Sequence, residues 1–259
     1  MRRKNPIAAW QLFDTTRKQL YFRMNSGMAS TRVIYITMDT DWCAEKVLEF
    51  ALSLLRERHL AATVFSTHDY VALRDTNAQM LEVGLHPNFN EVTAEGYEDK
   101  LRTLQRLYPQ AVGVSSHAML SGTTLLELFR RAGLQYDRNI LRYKDAAAQP
   151  FVYHNGLLRL PIFWEDDIWF TLEPGARFST TILEHEGFHL IFNFHPIHLF
   201  MNTASAEHYQ SFKPYQHELG RLAQYRRAEY GARSFFEDLT TYLQNENVAT
   251  GLLRNLLEL

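Results

Sequence analysis

The feature that most constrains this chain is a repeated change of hydrophobic period. From Val33 onward, short runs that are apolar at nearly every position alternate with stretches whose apolar residues recur every three to four positions. The runs at 33–38, 62–66, 81–85, 112–115, 157–163 and 189–194 read as strands, and the apolar character of both faces predicts a buried, parallel sheet. Between the first two, Ala44, Val47, Leu48, Ala51, Leu52 and Leu55 form the stripe of an amphipathic helix. A second helix is expected over about 97–107. It should stop at Tyr108, because the residue before Pro109 is pushed out of the helical region. A third is expected over 123–132, with Gly133 just past its end, where a left-handed cap is cheap. Strand–helix alternation implies a parallel sheet covered by helices, an α/β fold.

At 259 residues the chain suits one large domain over 1–259, since α/β barrels run to about 250 residues. The alternation defines a core at about 31–202, with 1–30 and 203–259 as additions. The second addition is polar and helical, and Ser234 with Glu237 has the spacing of a capping box before Phe235 and Phe236. Lys+Arg number 27 against 29 Asp+Glu, a formal net charge of −2, which argues against a broad electrostatic grip on nucleic acid or anionic membrane. The single cysteine, Cys43, excludes an internal disulfide framework and suits a reducing compartment. Met1-Arg2-Arg3-Lys4 is followed by charged residues rather than a long apolar stretch. No signal peptide, membrane span or lipidation signal is readable, and a cytoplasmic location is expected.

Reactive side chains fall at strand ends, where parallel α/β folds open onto their ligand sites. Asp39 and Asp41 follow the first strand and His86, with Asn88 and Asn90, follows the third. His117 follows the fourth, Glu165-Asp166-Asp167 the fifth, and His195-Pro196-Ile197-His198 the sixth. Each has a structural reading too. Asp41 suits a helix N-cap, a lone histidine is commonly a hydrogen-bonded structural residue, and the acidic triplet suits a solvated loop. Five such ends on one rim instead suit a divalent metal beside an acid/base pair.

In order and spacing, Asp39-Thr40-Asp41, His86-Pro87-Asn88, Ser116-His117, Trp164-Glu165-Asp166-Asp167 and Asn193-Phe194-His195-Pro196-Ile197-His198 resemble the motifs of the polysaccharide deacetylase superfamily (NodB-homology, carbohydrate esterase type). The text is most similar to its WbmS-like branch, associated with lipopolysaccharide O-antigen gene clusters. The resemblance covers about 31–202. It implies a deformed (β/α) barrel of about seven parallel strands with extra C-terminal helices. It also implies a metal-dependent hydrolase removing an N-acetyl group from an amino sugar, a sugar nucleotide or a lipid-linked precursor. One divalent ion, zinc in the first place, is the implied cofactor. The family's base maps to Asp39, its second carboxylate and leading histidine, both metal ligands, to Asp41 and His86, and its general acid to His195, with His198 as rival.

Two positions depart from the family pattern. Asn90 stands where the second motif has another histidine. Asn is a poor zinc ligand, so His117 is expected to supply the missing nitrogen, with Asn90 behind it. Ser115 and Ser116 stand near where the family has an arginine that orients the base, so orientation is expected from the loop at Asp166 and Glu165 or through water. Trp42, Trp164 and Trp169 flank the motifs as candidate sugar-stacking surfaces, beside Asn88 as a substrate contact. His185-Glu186-Gly187-Phe188-His189 matches the H-E-x-x-H zinc-protease signature. Gly187 and the strand that follows predict a helix end entering a strand, with both histidines away from the rim. Two rival functions remain, hydrolysis of another non-peptide C–N bond and an inactive sugar- or metal-binding barrel.

Overall fold

A computed structural model describes residues 33–74, 76–184 and 189–258. The central strands form where the sequence has its longest apolar runs: β1 (Val33–Asp39), β2 (Ala62–Ser66) and β3 (Leu81–Leu85). The helix α1 (Glu45–Glu57) joins the first two and buries Val47, Leu48, Ala51, Leu52 and Leu55, the expected stripe. α2 (Tyr97–Leu107) ends where Pro109 requires, and leads to β4 (Gly113–Val114). α3 (Thr123–Arg131) ends before Gly133, whose φ of 83° makes the left-handed turn into β5 (Tyr136–Asp137).

β6 (Phe151–Val152) and β7 (Leu158–Arg159) form a small antiparallel pair. β8 (Trp164–Glu165) runs directly into α4 (Asp166–Leu172), and β9 (His189–Phe194) into α5 (Pro196–Met201). The sheet order is β6-β7-β5-β4-β3-β2-β1-β9-β8, and every pairing except β6–β7 is parallel. The strand expected over 157–163 is broken into β7 and β8. Residues between them still bridge the two ends of the sheet. Leu160 N–H donates to Asp137 (2.9 Å) and Ile162 N–H to Ile140 (2.7 Å), whereas Phe163 N–H donates to Ile191 on β9 (2.9 Å). Pro161, which has no N–H, sits at the break. Counting β7 and β8 as one run, and apart from a short strand that joins β1 from the C-terminal segment, the sheet curls into a deformed barrel of seven parallel strands.

Alternation along the strands sorts the interior. Ile34, Ile36 and Met38 face the helices, whereas Tyr35 packs inside with Phe65, Tyr136 and Ile191. Gly84 and Gly113 face inward because those rings occupy the space: a Cβ would lie 2.5 Å from the Phe65 ring at Gly84 and 1.9 Å from the Tyr136 ring at Gly113.

The C-terminal segment does more than append helices. After α6 (Ala206–Phe212), α7 (Leu219–Leu222) and α8 (Ala232–Asn245), β10 (Ala249–Thr250) pairs with the start of β1. Leu253 and Leu256 then plug the barrel where its strands begin. The expected capping box is absent. α8 starts three residues earlier, with Gly231 as its N-cap, and Ser234 donates its N–H to the Asn202 side chain at 3.1 Å.

Candidate active site

The strands' carboxyl ends gather the polar residues at one rim. Inward alternation on β1 points Thr37 and Asp39 into the barrel, and the same rule brings in Asn193 from β9. The turn after β1 is strained: Asp41 and Trp42 both take left-handed backbone, with φ of 42° and 56°. Trp42 N–H donates to the Thr67 hydroxyl at 3.3 Å and Cys43 N–H to the Thr40 carbonyl at 2.9 Å. Asp41 is not the cap of α1, which begins after Ala44 without a side-chain cap. Instead its carboxylate turns back over the barrel mouth.

There, Asp41 Oδ1 accepts from His86 Nε2 at 2.9 Å and from His117 Nδ1 at 3.1 Å. His86 is placed by its N–H on the Ser66 carbonyl of β2, and His117 by its N–H on the Pro87 carbonyl. Burial would raise the Asp41 carboxyl, but hydrogen bonds from His117 and His86 outweigh it and hold it well below the usual carboxylate range. The potential ligand atoms of this trio lie within 4.8 Å of one another. One carboxylate oxygen and two imidazole nitrogens match the donor set of two-histidine, one-carboxylate catalytic zinc sites, so these residues fit a divalent ion. Two other groups, Asp39–Glu165–His195 and Asp166–His195–His198, are equally compact but wholly buried. Asp41 and His117 keep 26% and 31% of their side chains open to solvent. Asn90 stands outside the trio, its amide 3.5 Å from the His117 carbonyl.

Asp39 is buried beside this trio, with its Oδ1 3.7 Å from His86 Nδ1. Its partners are Arg138, which forms an ion pair with Oδ1, and Asn193, whose Nδ2 donates to Oδ2 at 3.0 Å. Burial pushes this carboxyl up, but the Arg138 guanidinium, helped by His86 and His195, pulls it below its ordinary value. Arg138 is not among the residues expected from the sequence: the arginine is absent near Ser115 and Ser116, and a guanidinium reaches the same place from the end of β5. Arg138 is fully buried, donates to Ser115 Oγ at 2.9 Å, and lies over the Phe65 ring at 4.6 Å. Its signal was inward alternation after Tyr136, obscured because β5 is two residues long.

His195, also beside the trio, is clamped by Asp166: Nδ1 lies 2.7 Å from Oδ1, and the backbone N–H donates to Oδ2 at 2.8 Å. Its Nε2 is thereby aimed at the mouth, 3.7 Å from Asp41 Oδ2. Burial would lower the imidazole, but Asp166, with Asp41 and Asp167, raises it well above its usual value. Asp166 therefore serves His195, not Asp39. His198 lies between Phe170 and Tyr209, with Nδ1 3.0 Å from the Thr203 hydroxyl. Burial and the neighbouring His195 hold it well below the ordinary value, hence neutral. Glu165 accepts from Asn193 Nδ2 at 2.8 Å, and burial with the adjacent Asp167 pushes it up to about 8.

The aromatic residues separate. Trp42 is half-buried at the mouth, edge-on to His117 at 5.0 Å. Trp164 offers no open face to a sugar: it is fully buried and stacked on Phe235 of α8 at 4.2 Å. Trp169 is buried in the same cluster. Asn88 is also buried, its side chain accepting the Asn90 N–H at 3.1 Å to form a turn. Of the protease-like motif, His185 to Phe188 lie outside the described residues. His189 opens β9 at the opposite end of the barrel, 3.5 Å from the Tyr35 hydroxyl.

A family model described as WbmS-like polysaccharide deacetylase matches residues 36–213. The chain belongs to this family. A crystal structure from Bordetella bronchiseptica, described as a polysaccharide deacetylase involved in O-antigen biosynthesis, is 31% identical and superimposes with a TM-score of 0.73. The match covers 81% of this chain and 90% of that one. A polysaccharide deacetylase structure from Mycobacterium smegmatis matches at 15% identity and a TM-score of 0.46, over 86% and 94% of the two chains. A pseudoenzyme of the CE4 family from Bacillus anthracis matches at 13% and 0.44, over 89% and 66%. Comparison with curated proteins finds no match. Among the described residues of this WbmS-like chain, no helix is long and apolar enough to cross a membrane.

Proposed function

We propose that this WbmS-like deacetylase is a metal-dependent hydrolase that removes an N-acetyl group from an amino sugar of a surface-polysaccharide precursor, carried as a sugar nucleotide or on a lipid. The observation that carries the reading is the placement of two differently prepared groups beside the Asp41–His86–His117 trio, Asp39 3.7 Å from His86 and His195 3.7 Å from Asp41. Asp39 is held as an anion by Arg138 and Asn193, and His195 is held as a cation by Asp166. Those are the protonation states that amide hydrolysis needs at its start.

Asp41, His86 and His117 would hold the ion, zinc by the chemistry of the donor set. When bound, it supplies a Lewis acid for the acyl carbonyl and the attacking water. Asp39 takes the proton of that water as it attacks. His195 donates its Nε2 proton to the departing nitrogen, which is too basic to leave as an anion. Asp166 keeps Nδ1 engaged, so the mobile proton sits on Nε2, facing the mouth. Trp42 provides a half-open wall for a sugar ring beside His117.

The test is acetate release from N-acetylated sugar nucleotides and oligosaccharides, comparing wild type with Asp39→Asn at equal metal content. We expect the variant to lose about 10²–10⁴-fold in turnover, the span of general acid–base catalysis, while binding metal normally. Full activity in the variant would remove Asp39 from the base role. A wild type that binds metal but releases no acyl group from any such sugar would favour a binding barrel.

A further inference from the structure

Asn193 is an uncharged residue whose amide lies between two buried carboxyls, and the reaction as described above uses it only to help hold Asp39 as an anion. It stands level with Thr37 on β1 and with Glu165 on β8, all three inside the barrel one step below the rim. The Thr37 hydroxyl lies 2.9 Å from Asn193 Oδ1, nearer than its other acceptor, the Phe192 carbonyl at 3.3 Å. A hydroxyl can donate to a carbonyl-type oxygen, so Thr37 decides which way round the amide sits. With Oδ1 turned to Thr37, both Nδ2 hydrogens face the carboxyls. One goes to Asp39 Oδ2 at 3.0 Å and the other to Glu165 Oε1 at 2.8 Å. All four residues are buried, so no solvent competes for these bonds.

We propose that Asn193 is a positioning residue for Asp39, and that Thr37 sets the direction of its amide. The inference rests on the reading of Asp39 as the base. Arg138 grips Oδ1 and Asn193 grips Oδ2, so the carboxylate plane is fixed at two points. A single-point hold at Arg138 would leave the plane free to rotate, and with it the lone pair that meets the attacking water. A flipped amide would place Oδ1 against two carboxyl oxygens, so the orientation set by Thr37 is the one compatible with the anion. The same amide spaces Asp39 from Glu165, giving each a donor of its own.

Two variants test this without touching metal ligands or reacting groups. Thr37→Val keeps the shape and removes the hydroxyl, and Asn193→Leu keeps approximate volume and removes both donors. With an N-acetylated sugar nucleotide that the wild type turns over, we expect kcat to fall about ten- to hundredfold in Asn193→Leu and less in Thr37→Val. KM and bound metal should stay unchanged, a split that mere loosening of the fold would not produce. Wild-type kcat in both folded variants would overturn the proposal. A crystal structure of either variant gives a readout independent of activity, so a wild type inactive on every sugar would count against the deacetylase reading alone. A rotated Asp39 carboxylate supports positioning, and an unmoved one overturns it. If Asn193→Leu does not fold, Thr37→Val decides.

Discussion

Two buried glutamates inside the same barrel have opposite fates. Glu82, near the closed end, has both oxygens occupied: Tyr136 OH donates to Oε1 at 2.8 Å, and Thr63 Oγ1 and Arg254 N–H donate to Oε2 at 3.0 Å each. Glu165, one step below the rim, has one donor, and its Oε2 has no hydrogen-bond partner among the described residues. The closed end is sealed by Leu253 and Leu256, whereas the rim opens through strained turns at Asp41–Trp42 and Ala118–Met119. A buried carboxyl fully satisfied by protein donors is part of the scaffold. One left with a spare oxygen, among charges poised by others, is a candidate for a part in the proposed chemistry.

The largest effect that would sharpen this contrast is expected at Arg138. Arg138→Gln removes the cation facing the buried Asp39, and breaking a buried pair costs about 3–5 kcal/mol. Denaturant unfolding should show that loss, and adding Asp39→Asn should recover much of it. An additive double variant would contradict the pairing. Next comes Glu82→Gln, which turns one acceptor into a donor facing a donor. It should lower stability by about 1–3 kcal/mol with kcat per folded molecule unchanged, and a selective loss of turnover would break the scaffold assignment.

The remaining effect is read across pH rather than at one pH, and it belongs to Glu165. Burial and Asp167 raise it from 4.5 to about 8. Across that window the folded protein retains a proton that the unfolded chain has released. Stability should therefore decline as pH rises from about 4.5 to about 8. Glu165→Gln removes the titrating group, so its melting temperature should gain on the wild type steadily across the window. Parallel melting curves against pH would show that Glu165 is solvated after all.

Legibility in the sequence followed run length. β2, β3 and β9 sit where five or six consecutive residues announce them, and β1 extends one residue beyond its apolar run. β5, β7, β8 and β10 are two residues each, too short to show a period, and the ladder around Pro161 is carried by single hydrogen bonds. Asp39, Asp41, His86, His117, Asp166 and His195 stood out as carboxylates and imidazoles just past strands, and they converge. Arg138 and Asn193 did not stand out, because an arginine after a two-residue strand resembles a solvated loop and an asparagine inside an apolar run resembles an interruption. Trp164 was misjudged for the converse reason. Proximity in sequence to the acidic triplet says nothing about which side of the sheet its ring takes, and alternation sends it outward against α8.

The most direct test of the account is the anomalous scattering of a crystal soaked in zinc. The account predicts one strong peak bonded to Asp41, His86 and His117, at about 2.0–2.2 Å from each ligand atom, with Asp39 beside it and uncoordinated. A peak at another cluster, or one that draws Asp39 into coordination in place of His117, would contradict it.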